Sequence, residues 1–113
     1  MSLHYRGKQL YFGKYKVQDL AKKYGSPVYV YDLDLIASNI KDHKKAFSEN
    51  VDIHYAMKAN SNSQILKLMK KHKIGIDSVS GGEVQWAIKN GFAPQDIIYS
   101  GVGKSVEEIT LAL

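Results

Sequence analysis

Apolar positions at Val17, Leu20, Ala21 and Tyr24 recur at helical spacing, which predicts a short amphipathic helix over residues 17–24. Gly25 supplies the stop and Pro27 prevents continuation. Residues 28–31 (Val-Tyr-Val-Tyr) are β-branched and aromatic and predict a strand. Asp34 then opens a second helix through residue 47, with Leu35, Ile36, Ile40 and Phe47 as its expected buried side. From there strand and helix patterns alternate three times. Strands are expected over residues 51–57, 74–79 and 97–99. Each is followed by a Ser-x-x-Gln or Ser-x-x-Glu capping box, at Ser61, Ser80 and Ser105. Ile65, Leu66 and Met69 should face inward from the first of these helices, and the second should end near Asn90, before Gly91.

Strict strand–helix alternation with short loops implies an α/β fold with a parallel sheet and right-handed crossovers. Three core strands cannot close a barrel, which takes eight strands and about 250 residues. The final helix pattern, from Val106, runs to Leu113 without a Gly, Asn or Pro terminator. The chain therefore reads as the N-terminal part of a larger protein.

Composition narrows the class. At 113 residues, 44% hydrophobic and 24% charged, the chain has the balance of an ordinary globular domain. It has no cysteine, which excludes disulfides and thiolate metal sites. No run of about 18 apolar residues is present, so no membrane-spanning helix is expected, and the N-terminus lacks a signal-peptide core. A cytoplasmic protein is expected. The net charge is +5, and basic residues cluster at Lys41, Lys44 and Lys45 and at Lys67, Lys70, Lys71 and Lys73. Both groups fall on helical segments at positions the apolar residues do not use, so they read as solvated faces. With no arginine stripe and no aromatic-interleaved basic motif, a nucleic-acid partner is not expected. His4, His43, His54 and His72 show no metal-ligand spacing.

The candidate chemistry lies in Tyr55-Ala56-Met57-Lys58-Ala59-Asn60. A lysine where an apolar strand gives way to a helix start stands at the carboxyl end of the strand, where α/β proteins place their sites. Strand alternation puts Ala56 on the face of Lys58, one layer deeper, leaving space for a flat group. A lysine so held can form a Schiff base with a carbonyl compound such as pyridoxal phosphate. The competing account is that most strand-end lysines simply reach water.

The same hexapeptide closely resembles the lysine motif of the fold type III, alanine-racemase-like pyridoxal phosphate enzymes. Gly75-Ile76-Asp77-Ser78-Val79-Ser80-Gly81-Gly82-Glu83 and Tyr99-Ser100-Gly101-Val102-Gly103-Lys104-Ser105 resemble the second- and third-strand segments of the diaminopimelate decarboxylases among them. Val28-Tyr29-Val30-Tyr31-Asp32 resembles their lead-in strand. The resemblance covers residues 17–113.

It implies a TIM-type βα barrel holding pyridoxal 5'-phosphate, and a β-rich second domain formed mostly downstream. Residues 1–34 would be an N-terminal helix and lead-in strand pairing with that second domain, and residues 35–113 the first βα units of the barrel. The implied reaction is decarboxylation of meso-2,6-diaminopimelate to L-lysine and CO₂, in a homodimer acting on a small amino acid. The alternatives are a decarboxylase of ornithine- or arginine-like substrates, or a pyridoxal phosphate-binding protein without turnover. Lys58 would carry the cofactor covalently. Ala56 would form its immediate wall, or be a small core residue. Asp77 would favour the ammonium form of the lysine, or cap a loop. Glu83 would lie near the lysine, or serve only the Ser80 capping box. Gly81 and Gly82 leave that helix start open.

Overall fold

The structure, a computed structural model, describes residues 3–47 and 50–113. The chain divides into two compact units, residues 1–39 and residues 40–113. The first two positions of the expected 1–34 segment lie outside the described residues.

The first unit opens on an antiparallel meander that the apolar pattern did not announce. It comprises β1 (Leu3–Arg6), β2 (Gln9–Phe12) and β3 (Tyr15–Lys16). Arg6 pairs with Gln9 and Phe12 with Tyr15, so both turns are two residues long. Gly7 and Gly13 open them with φ of 60° and 58°. That conformation at the first turn position suits the right-handed twist of a hairpin and needs glycine. Helix α1 (Val17–Tyr24) follows, and Gly25 ends it as expected, its N–H bonded to the Ala21 carbonyl at 2.9 Å.

The expected strand over residues 28–31 is not formed. The segment has no ladder partner among the described residues, and Tyr29 is 87% exposed. A β-propensity run without an edge to pair with gains nothing from extension.

Helix α2 spans Leu33–Ala46. Its cap is Asp32 rather than Asp34: Asp32 Oδ1 accepts from the N–H groups of Asp34 and Leu35, both at 3.0 Å. Of its expected buried side Ile40 is buried and Ile36 half-buried, while Leu35 and Phe47 are exposed.

The second unit holds the parallel sheet. Strands β4 (His54–Ala56), β5 (Gly75–Ser78) and β6 (Ile97–Tyr99) lie side by side in that order. Between them run α3 (Ser63–Lys71) and α4 (Gly81–Lys89), with α5 (Val106–Ala112) after β6. The first strand is shorter than expected and gives way to a 3-10 turn at Met57–Ala59. Its N-terminal half, from Val51, is outside the ladder.

The helices cover one face of the sheet. Ile65, Leu66 and Met69 from α3, Val84 and Ala87 from α4, and Met57, Ile76 and Phe92 make the core. Alternation is legible in β5, where Ile76 and Ser78 are buried while Gly75 and Asp77 are only half-buried. At β5's amino end the His54 ring lies over Gly75, where a Cβ would come within 2.4 Å of it. The lysines named above are exposed. Two are tied down: Lys44 Nζ donates to the His72 carbonyl, and Lys70 Nζ to that of Gly91.

Candidate functional site

The carboxyl ends of β4, β5 and β6 carry the candidate residues. Lys58 is exposed and stands on the 3-10 turn, two residues past the last strand residue. Strand alternation therefore does not orient it, contrary to the expectation that Ala56 and Lys58 share a strand face. The turn is held from both sides. Tyr55 Oη donates to the Asn60 carbonyl at 3.1 Å, and Asn60 Oδ1 accepts from the Asn62 N–H at 3.0 Å. Residues 55–62 thus form a closed loop around the lysine, anchored by a half-buried tyrosine.

The helix after that loop begins one residue later than the Ser61 capping box predicts. Asn62 is the cap, its Oδ1 accepting from the Gln64 N–H at 2.9 Å. Asparagine accepts at least as well as serine in this role, and the competition is settled by one residue. The Ser61 carbonyl instead takes a 2.8 Å bond from Trp86 Nε1, tying α4 to the lysine loop.

Ala56 and Asp77 are register partners across β4 and β5, so they share one row on the less buried face. Asp77 Oδ1 accepts from Ser100 Oγ at 2.5 Å. Ser100 was missed by the sequence reasoning. The signal was its place one residue past β6, at the same exit as Lys58 and Asp77. Ser78 turns to the buried face, with Oγ donating to the Ile98 carbonyl at 3.0 Å.

Glu83 is drawn into the start of α4. Its own N–H donates to Ser80 Oγ at 3.2 Å, as the capping box requires. Its Oε2 accepts from Val79 at 2.7 Å, one residue earlier than the box predicts. Both bonds satisfy backbone donors, which fits the capping account of Glu83.

The third capping box is complete. Ser105 Oγ accepts from the Glu108 N–H at 3.2 Å, and Glu108 Oε2 from the Ser105 N–H at 3.1 Å. Glu108 Oε1 also accepts from the Gly81 N–H at 2.9 Å, joining the starts of α4 and α5. These donors, Gly81 first, then Ser105 and the Tyr99 hydroxyl, hold its carboxyl below the usual glutamate range. Burial, then the same carboxylate, pushes the Tyr99 phenol upward.

An exposed amine on a braced loop, a small neighbour and a carboxylate on the adjacent strand end suit a group bearing an aldehyde and a flat ring. The family model described as "Pyridoxal-dependent decarboxylase, pyridoxal binding domain" matches residues 33–113. The chain belongs to that family. Among relatives of this decarboxylase family, the diaminopimelate decarboxylase of Aquifex aeolicus is 40% identical over 98% of the chain and 26% of its own length. That of Helicobacter pylori strain J99 is 44% identical over 88% of the chain and 25% of its own length. A crystal structure of the M. jannaschii diaminopimelate decarboxylase in co-complex with L-lysine superposes with a TM-score of 0.85 at 30% identity. It covers 98% of this chain and 27% of that one. The chain thus spans about a quarter of the length of these relatives. Its parallel β4–β5–β6 sheet with intervening helices matches their N-terminal portion. Among the described residues no helix is long and apolar enough to cross a membrane.

Proposed function

We propose that the intact protein releases CO₂ from meso-2,6-diaminopimelate and leaves L-lysine, with Lys58 as the attachment point of pyridoxal 5'-phosphate. The observation that carries this reading is the exposed Lys58 on its braced loop, two residues past Ala56, whose register partner is Asp77, at the carboxyl end of a parallel sheet. The diaminopimelate decarboxylases among its relatives point to the substrate. The same proposal includes a βα barrel continuing this sheet, a β-rich second domain, residues 1–34 as its N-terminal lead-in, and a cytoplasmic homodimer.

Pyridoxal phosphate, when bound, accepts the electron pair left as the carboxylate departs. The chain's own residues do the rest. Lys58 Nζ would hold the cofactor through a covalent link. Its amine would also be placed to carry a proton for the substrate carbon. Ala56 leaves room where a larger side chain would collide. Asp77, the register partner of Ala56, would set a carboxylate at the strand end next to the lysine loop. Glu83 belongs to this site only through the helix start it caps.

The test is reduction of the intact protein with borohydride in the presence of pyridoxal phosphate, followed by peptide mapping. The label is expected on Lys58. A label confined to another lysine, such as Lys104, overturns the assignment. CO₂ release from meso-diaminopimelate, compared with ornithine and arginine, tests the substrate.

A further inference from the structure

We propose that Ser100 is a positioning residue for the Asp77 carboxylate; this rests on the cofactor-anchoring reading of Lys58 and deepens it. The Ser100 N–H donates to the Ser78 carbonyl at 2.9 Å, carrying the β5–β6 ladder one step beyond the last residue of β6. Immediately after it, Gly101 passes so close to β5 that a Cβ would sit 2.3 Å from the Val79 carbonyl oxygen. Backbone constraints on both sides therefore fix the direction of the Ser100 side chain, and the hydroxyl is left only its staggered χ1 positions.

It has two acceptors within reach, Asp77 Oδ1 at 2.5 Å and the Ser78 carbonyl at 3.4 Å. The carboxylate is the nearer and, being charged, the stronger. A carboxylate's terminal torsion is broad and roughly two-fold when nothing holds it. A hydroxyl fixed on Oδ1 selects one orientation and commits Oδ2 to another direction. Asp77 is the register partner of Ala56, and Lys58 lies two residues beyond Ala56 at the neighbouring strand exit. Small displacements of a group acting on a reacting amine change rates strongly, so a hydroxyl that orients the carboxylate affects turnover without touching the substrate.

The rival account is a serine that merely ends a strand. A double-mutant cycle separates the two, using the intact protein with Ser100→Ala, Ser100→Thr, Asp77→Asn and Ser100→Ala combined with Asp77→Asn. For CO₂ release from meso-diaminopimelate, Ser100→Ala is expected to lower kcat about tenfold, leaving KM and bound cofactor within about twofold. Ser100→Thr, which keeps the hydroxyl, should recover most of the loss. In the Asp77→Asn background, Ser100→Ala should add nothing. Wild-type kcat in Ser100→Ala, or an undiminished loss in the Asp77→Asn background, overturns the proposal. So does a change confined to KM. Borohydride labelling keeps the two readings apart. No label on Lys58 defeats the function proposed above, whereas a label there in every variant leaves the cycle to decide Ser100 alone. If Lys58 is labelled without turnover on this substrate, the same cycle is read in the rate of Lys58 labelling, with the same pattern expected.

Discussion

A methyl group at Gly101 would sit 2.3 Å from one backbone oxygen and 2.9 Å from the Tyr99 ring, whereas at Gly103, two residues on, it would meet nothing within 4 Å. The contrast isolates sterics from the change in chain entropy common to any Gly→Ala substitution. Gly101→Ala should destabilise the intact protein by about 1–3 kcal/mol, the usual cost of forcing atoms into a packed site. Gly103→Ala should stay within about 0.5 kcal/mol, as for an open surface position. Thermal unfolding of the two variants side by side checks this. Lys58 makes the complementary case. An exposed side chain on a braced turn contributes little buried area, so Lys58→Ala should leave the unfolding midpoint of the cofactor-free protein nearly unchanged while abolishing borohydride labelling of the protein with added pyridoxal phosphate. A large loss of stability would mean that the lysine is structural.

Helix starts decide how the strand ends are presented, and here the cap chemistry was only partly legible in the sequence. The Ser105 and Ser80 signals place their helices correctly, because serine three residues before glutamate has few competitors in those loops. At residues 61 and 62 two good caps stand adjacent, and pattern alone cannot choose between Ser and Asn. Asn62→Ala should therefore cost about 1 kcal/mol, and Ser61→Ala less than about 0.5 kcal/mol, by thermal unfolding. The β6 and α4 boundaries were readable from apolar runs and a following glycine. The β1–β3 meander was not, although Gly7-Lys8 and Gly13-Lys14 carry a hairpin signature between short alternating runs. The Glu108 bridge to Gly81 spans 27 residues, and no local pattern encodes it. Its consequence is a pH dependence. The folded-state pKa of Glu108 lies below its ordinary value of 4.5, so the stabilisation is present above that pH and is lost as pH falls through the lowered folded value. Glu108→Gln should flatten this acid limb of the unfolding profile relative to wild type. An unchanged slope would assign the acid sensitivity to other carboxylates.

In the second unit the parallel sheet is covered by helices on one face only, and its outer strands β4 and β6 each have a single partner among the described residues. Ile98, on the same row as Ala56 and Asp77, is 47% exposed, and Val51, Val79 and Ile88 are also well exposed. Sheets of this kind are stable when both faces are covered, and unpaired strand edges template association. In the proposed barrel the bare face would be the interior and the free edges would meet further strands. Residues 1–113 produced alone should therefore release no CO₂ from meso-diaminopimelate with added pyridoxal phosphate. They should also self-associate, which sedimentation velocity across a concentration series would register as a rising mean mass. Short strands limit this tendency, since three-residue edges offer few ladder bonds, so the association should be weak and concentration-dependent rather than fibrillar. A monodisperse monomer that unfolds cooperatively would show that the helix-covered face alone suffices for stability. Turnover by that monomer would go further, because it would place every group the reaction needs among residues 1–113.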